Sequence, residues 1–162
     1  MLAAVEAIMT KLNLPINDRK TRCLRCPEEP FEFLGYRLGR NDRKPGTGSY
    51  IATRPSKARV QSLCRNVSEQ TAAKYGGMDT QEMVTRLNRM IIGRANYYRL
   101  GQVSPADGAI KAHTTKRLRR WLCRKNKVKY GKYVRFSDDK PWNTYGLKRL
   151  APMTKGFAWA KS

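Results

Sequence analysis

The run Lys116-Arg117-Leu118-Arg119-Arg120-Trp121-Leu122-Cys123-Arg124-Lys125-Asn126-Lys127 interleaves dense positive charge with large apolar side chains, so it is neither a simple basic tail nor a nuclear-targeting run. On an α-helix, Ile110, Thr114, Leu118, Trp121 and Leu122 fall on one side while Lys116, Arg120, Arg124 and Lys127 fall on the other. The apolar side needs a core. The basic side needs solvent or an anion. After Gly101 the chain carries sixteen of its 34 Lys and Arg against three acids, Asp107, Asp138 and Asp139, a net +13. Over all 162 residues the net charge is +22, a field that concentrates phosphate-bearing partners. Nucleic acid is the expected polyanion. No apolar run reaches the ~18 residues that span a bilayer, and no membrane partner is expected.

A chain of this length with 40% apolar residues can form one compact domain, or two small ones sharing an interface. The N-terminus lacks a basic stretch ahead of its apolar residues and places Glu6 among them, so no signal peptide is expected and the location is read as cytoplasmic. Cys23 and Cys26 form a CxxC, whereas Cys64 and Cys123 stand alone. Reduced, structural cysteines are the expectation; a zinc site from all four would require three distant segments to converge.

Ala4, Val5, Ile8 and Leu12 recur at helical spacing and predict a helix over 2–13, ended by Asn13-Leu14-Pro15. Phe31–Leu38 alternates apolar and polar but changes phase at Leu34-Gly35, which predicts a strand with a glycine bulge. The turn-rich stretch 39–48 leads to a second strand, 50–53, and the two together read as a β-hairpin. Ser56 is positioned to cap a helix with Val60, Leu63, Cys64 and Val67 on one face, ended by Gly76-Gly77. Asp79 or Thr80 caps the next, whose stripe Met83, Val84, Leu87, Met90, Ile91 and Tyr98 reads as core. Ser104-Pro105-Ala106-Asp107 opens a further helix running to about Asn126, with Ser104 as cap. The aromatic, Gly- and Pro-interrupted segment 129–162 predicts short elements packed on the helices. The fold class is therefore α+β, mainly α.

Independent catalysis is not expected. No pair of carboxylates has metal-binding spacing, Asp138-Asp139 reads as an exposed turn, and there is no phosphate-cradling glycine loop. The single histidine, His113, reads as solvated on the exposed side of its helix, with no acid beside it. No cofactor or metal is expected on this chain.

Four segments carry a resemblance. They are Leu12-Asn13-Leu14-Pro15-Ile16-Asn17 with Lys20-Thr21; Phe31-Glu32-Phe33-Leu34-Gly35-Tyr36; Leu87-Asn88 through Gly93-Arg94-Ala95-Asn96-Tyr97-Tyr98; and Tyr145-Gly146-Leu147-Lys148-Arg149-Leu150. In this order the chain resembles the C-terminal part of bacterial group II intron-encoded reverse transcriptase/maturases. The resemblance implies that 1–53 is the end of a polymerase palm, with Phe33, Leu34, Gly35 and Tyr36 in the place of the primer grip. It implies that 54–128 is a helical thumb running into the maturase-specific region, and that 129–162 completes that region. The catalytic aspartates of the family's Tyr-x-Asp-Asp motif are absent, so these residues cannot carry its RNA-directed DNA polymerase chemistry. Arg94 also departs from the pattern, in which Trp often follows the position of Gly93.

The expected function is binding and stabilising folded group II intron RNA for splicing, as a fragment or remnant of a reverse transcriptase. The candidate RNA contacts are Lys116, Arg117, Arg119, Arg120, Arg124, Lys125, Lys127, Lys129 and Arg94, with Tyr97 as a base-stacking ring. Tyr130 is a second stacking candidate, and Tyr98 is more readily core. The alternative is a thumb/maturase subunit of a split reverse transcriptase, acting on template–primer with a palm-bearing chain in trans. A generic basic DNA-binding protein would fit the charge but not the four ordered motifs.

Overall fold

The computed structural model describes residues 2–17, 21, 23–26, 28–42, 48–98, 100–101 and 103–150. In chain order these form α1 (Leu2–Lys11), β1 (Phe31–Phe33), β2 (Tyr36–Asp42), β3 (Ser49–Pro55), α2 (Lys57–Gln70), a 3-10 turn (Ala73–Tyr75), α3 (Thr80–Tyr97), α4 (Ser104–Lys125), α5 (Lys132–Arg135) and α6 (Lys140–Asn143). The class is α+β, mainly helical, as expected. Phe157 and Trp159, counted among the C-terminal aromatics, lie outside the described residues.

The sheet is an antiparallel meander in the order β1-β2-β3. The phase change at Leu34-Gly35 is a chain reversal and not a bulge. Leu34 (φ 49°) and Gly35 (φ 80°) are both left-handed, the backbone of a two-residue turn whose twist suits the flanking strands. Phe33 then pairs with Tyr36, and Phe31 with Leu38, so the two apolar sets must have opposite parity in sequence to meet across the ladder.

Gly35 is required twice over. Its φ disfavours any side chain, and a Cβ there would lie 2.5 Å from the Tyr98 hydroxyl and 3.1 Å from Arg59 Cγ. Gly35→Ala is expected to destabilise the chain by at least about 1–2 kcal/mol, read from the urea midpoint. An unchanged midpoint would show that the turn does not hold Tyr98 this closely.

Helix starts and stops follow local chemistry. Ser56 Oγ accepts from the Arg59 amide as the α2 cap, and Asp79 Oδ2 accepts from the Gln81 amide at 2.8 Å and the Glu82 amide at 3.3 Å as the α3 cap. Those amides hold the Asp79 carboxyl below its ordinary 3.8. The second helix stops at Gln70, short of Gly76-Gly77, because Thr71 bonds back to the Val67 carbonyl and Arg117 takes the Ser68 carbonyl. Ser104 is the first residue of α4 and not its cap. Val103, buried and helical in φ and ψ, precedes it without a side-chain cap.

The core joins Val67 of α2, Met83, Val84, Leu87 and Ile91 of α3, and Ile110, Leu118, Trp121 and Leu122 of α4. Phe136, Trp142, Leu147 and Leu150 close it, so the described part of the segment after α4, up to Leu150, packs on the helices as expected. Two of the resemblance motifs meet here. Asn88 Nδ2 donates to the Gly146 carbonyl at 3.0 Å, and the Lys148 amide donates to Asn88 Oδ1 at 2.7 Å. A second pair of motifs meets at the sheet, where Tyr36 Oη donates to the Tyr97 carbonyl and Tyr97 Oη to the Leu34 carbonyl. By contrast, the apolar side of α1 is uncovered among the described residues, with Val5, Ile8 and Leu12 each about half exposed or more. Among the described residues no helix is long and apolar enough to cross a membrane.

Candidate nucleic-acid interface

The α4 helix divides as its sequence requires. Ile110, Thr114, Leu118, Trp121 and Leu122 are buried, and Lys116, Arg120 and Arg124 are exposed. Lys127 extends this exposed row beyond the helix. It occupies the left-handed position of the C-terminal cap (φ 50°), with the Val128 amide donating to the Cys123 carbonyl at 2.9 Å and the Lys127 amide to the Arg124 carbonyl at 3.1 Å. Lys116, Arg120 and Arg124 are spaced by about 6 Å of helix rise per step. Among the described residues none of the four makes an ion pair. Lys129 is exposed just beyond them.

Three other cations from the same run are bound inside the protein. Arg117 donates from Nε to Thr71 Oγ1 at 3.0 Å and from Nη2 to the Ser68 carbonyl at 2.7 Å, locking the end of α2. Burial, then the neighbouring Arg124 and Arg120 charges, work against the charged form of Arg117, a direct sign of how crowded with cations this face is. Arg119 is buried. It donates from Nε to the Phe136 carbonyl at 2.7 Å, pairs through Nη2 with Asp138, and lies 4.5 Å from the Tyr133 ring centre. Lys125 donates to the Met78 carbonyl at 2.6 Å and sits over the Trp121 ring. These three hold α2, the turn before α3 and the segment after α4 against α4. Sequence cannot make this division, because each of them lies within one helical turn of an exposed cation.

Arg94 and Tyr97 sit apart from that face, at the C-terminal end of α3. Arg94 is buried with its guanidinium 4.3 Å from the Tyr98 ring centre; burial works against its charge and Asp107 favours it. Tyr98 is core, as the stripe implies, and Tyr97 is 57% exposed. In the hairpin, Tyr36 is buried while Phe33 and Leu34 are exposed. Tyr130 is exposed.

His113 does not lie on the exposed side. It is half-buried against α2, and its Nε2 is 2.9 Å from Ser68 Oγ. Ser68 gives its own proton to the Cys64 carbonyl at 3.0 Å, which leaves its oxygen to accept from His113. The position of His113 between the apolar and basic sides of α4 was the one sequence signal for this; its Ser68 partner comes from another helix. Burial first, then Arg117 and Lys116, push the imidazole below its ordinary 6.5. Since the unfolded chain then binds more protons below about 6.5, stability is expected to fall as pH drops through that value. Urea unfolding at pH 7.5 and 5.5 checks this, and His113→Gln is expected to flatten the difference. A His113→Gln chain as pH-sensitive as the wild type would move the origin elsewhere.

Cys64 is half-buried on α2, its thiol pushed up by burial, and Cys123 is buried on α4, while Cys23 and Cys26 are exposed. Among the described residues no three His, Cys, Asp or Glu side chains are grouped to hold a metal ion.

No curated protein matches the chain. Residues 60–137 match the family model described as group II intron, maturase-specific domain. That span holds most of α2, all of α3 and α4, and the Arg119 clamp on Phe136. Over residues 60–137 the chain is therefore group II intron maturase-like.

Proposed function

We propose that the chain binds folded group II intron RNA through the exposed row Lys116, Arg120, Arg124 and Lys127, and in doing so supports splicing without contributing a reacting group. The observation that supports this most strongly is the sorting of cations on α4. Arg117, Arg119 and Lys125 are bonded within the protein, while the four in the exposed row have no acidic partner among the described residues and lie inside the maturase-like span. Intron RNA must bring distant phosphate-rich domains together, and a rigid row of cations lowers that repulsion. Lys129, next in the chain, would extend the row. Filter binding across a salt series, with group II intron RNA against duplex DNA of equal length, tests the reading. Tighter binding to the intron RNA is expected; equal affinity would reduce the chain to a generic basic protein.

A second reading is favoured by a separate observation. The exposed Val5 and Ile8 of α1 with Leu12 just after it, and separately Phe33, Leu34 and Ile51 at the sheet, are apolar side chains that a palm-bearing reverse transcriptase chain would cover. Under that reading the chain is a thumb and maturase subunit acting on template–primer, with the catalytic aspartates in trans. Light scattering decides between them: a monodisperse monomer that binds intron RNA favours the module, and folding that demands the second chain favours the subunit.

A further inference from the structure

A groove of about 410 Å³ runs between α2 and α3, a size within the ~300–1,000 Å³ of small-molecule sites. The α2 side presents Arg59, Ser62 and Asn66; the α3 side presents Gly93, Arg94 and Tyr97. No acidic side chain lines it. Arg94 is 6% exposed, and its Nε and Nη2 meet no hydrogen-bond acceptor among the described residues. Asp107 and the Tyr98 ring favour the Arg94 charge but leave these two buried donors unbonded, which is costly, and a small side-chain shift towards an anionic acceptor in the groove would relieve that cost. Arg59 stands exposed at the same groove, near the Tyr98 hydroxyl, which burial pushes above its ordinary range and the Arg59 charge only partly pulls back.

Tyr97 supplies the other half of the chemistry. Its ring is 57% exposed yet fixed at both ends, by the 3.2 Å bond from its hydroxyl to the Leu34 carbonyl and by an edge contact with Tyr98 at 4.7 Å between centroids. A held aromatic face loses little freedom when a base stacks on it. One turn before it on the same face of α3, Gly93 has open space where a Cβ would be, so nothing narrows the groove there.

We infer that this groove takes one unpaired nucleotide of an RNA strand, its phosphate drawn to Arg59 and Arg94 and its base stacked on Tyr97. The inference rests on the RNA-binding reading but uses none of the α4 row. A paired base cannot present its face to Tyr97, so the groove distinguishes single strands from duplex.

The test is fluorescence anisotropy of the full chain with a labelled ten-nucleotide oligoadenylate and with a ten-base-pair RNA duplex. Tyr97→Ala is expected to weaken the single strand about tenfold. Gly93→Leu is expected to do the same by filling the groove, and it improves helix propensity, so loss of fold does not confound it. Duplex affinity should hold in both variants. Unchanged oligoadenylate binding in Gly93→Leu, or parallel loss of both probes, overturns the inference. Adenosine monophosphate should bind at least tenfold more weakly than the oligomer; equal or tighter binding would make this a free-nucleotide site and overturn the strand assignment. Failure here is separable from failure of the α4 reading. Gly93→Leu acts on the oligomer, whereas alanines in the α4 row act on the salt slope with intron RNA.

Discussion

Replacing Lys116, Arg120 and Arg124 by Ala and Lys127 by Gly is expected to weaken binding to group II intron RNA roughly 100-fold near physiological salt. The slope of log K against log salt should fall by about 3, because each neutralised phosphate releases somewhat under one counterion. The substitutions suit the local structure. Ala is the best helix former at three exposed helical positions, and Gly is favoured at the left-handed cap held by Lys127. A change in folding therefore cannot stand in for a change in binding, and a thermal melt of the variant checks that directly. Arg119→Met is the contrasting case. It removes the bonds to the Phe136 carbonyl and Asp138, so it is expected to cost about 1.5–3 kcal/mol of stability while leaving the salt slope alone. Should the fourfold variant keep the wild-type slope, the exposed row of α4 is not where RNA phosphates bind.

Trp121→Ala should be the most damaging single change to the fold. The side chain is fully buried between α4 and the core of α2 and α3, its indole N–H donates to the Tyr75 carbonyl at 2.9 Å, and Lys125 covers its ring. Truncation leaves a cavity and an unpaired carbonyl, at a cost of about 3–5 kcal/mol against the roughly 5–15 kcal/mol that holds a domain of this kind together. Urea denaturation followed by far-ultraviolet circular dichroism measures it. Trp121→Phe should fall between, since it keeps most of the volume and loses the bond to Tyr75. A loss under about 1 kcal/mol in the Ala variant would mean that α4 does not rest on this ring. The consequence reaches the proposed RNA-binding row, because that row is only as rigid as the buried side of the same helix.

Element existence and type were legible along most of the chain. The stripes of α3 and α4 announced their buried faces, and Ser56 and Asp79 announced their caps. What misled were places where local and tertiary chemistry compete. Leu34-Gly35 has the composition of a bulge as well as of a turn, and only pairing of Phe33 with Tyr36 chooses between them. Gly76-Gly77 looks like a helix stop, yet Thr71 and Arg117 end α2 earlier by taking its last carbonyls. His113 looked solvated because its partner, Ser68, lies forty-five residues away on another helix.

For the candidate site the division is sharper. The sequence by itself determined that α4 carries an apolar and a basic side and that the chain after Gly101 has a large excess of positive charge, since helical periodicity and charge count are local properties. Which of those cations stay exposed was decided by the tertiary structure alone. Arg117, Arg119 and Lys125 find carbonyl oxygens on segments brought near by folding, and among the described residues Lys116, Arg120 and Arg124 do not. The groove beside Tyr97 likewise exists only once α2 and α3 lie together, because a buried guanidinium with two donors left unbonded among the described residues has no signature in a sequence.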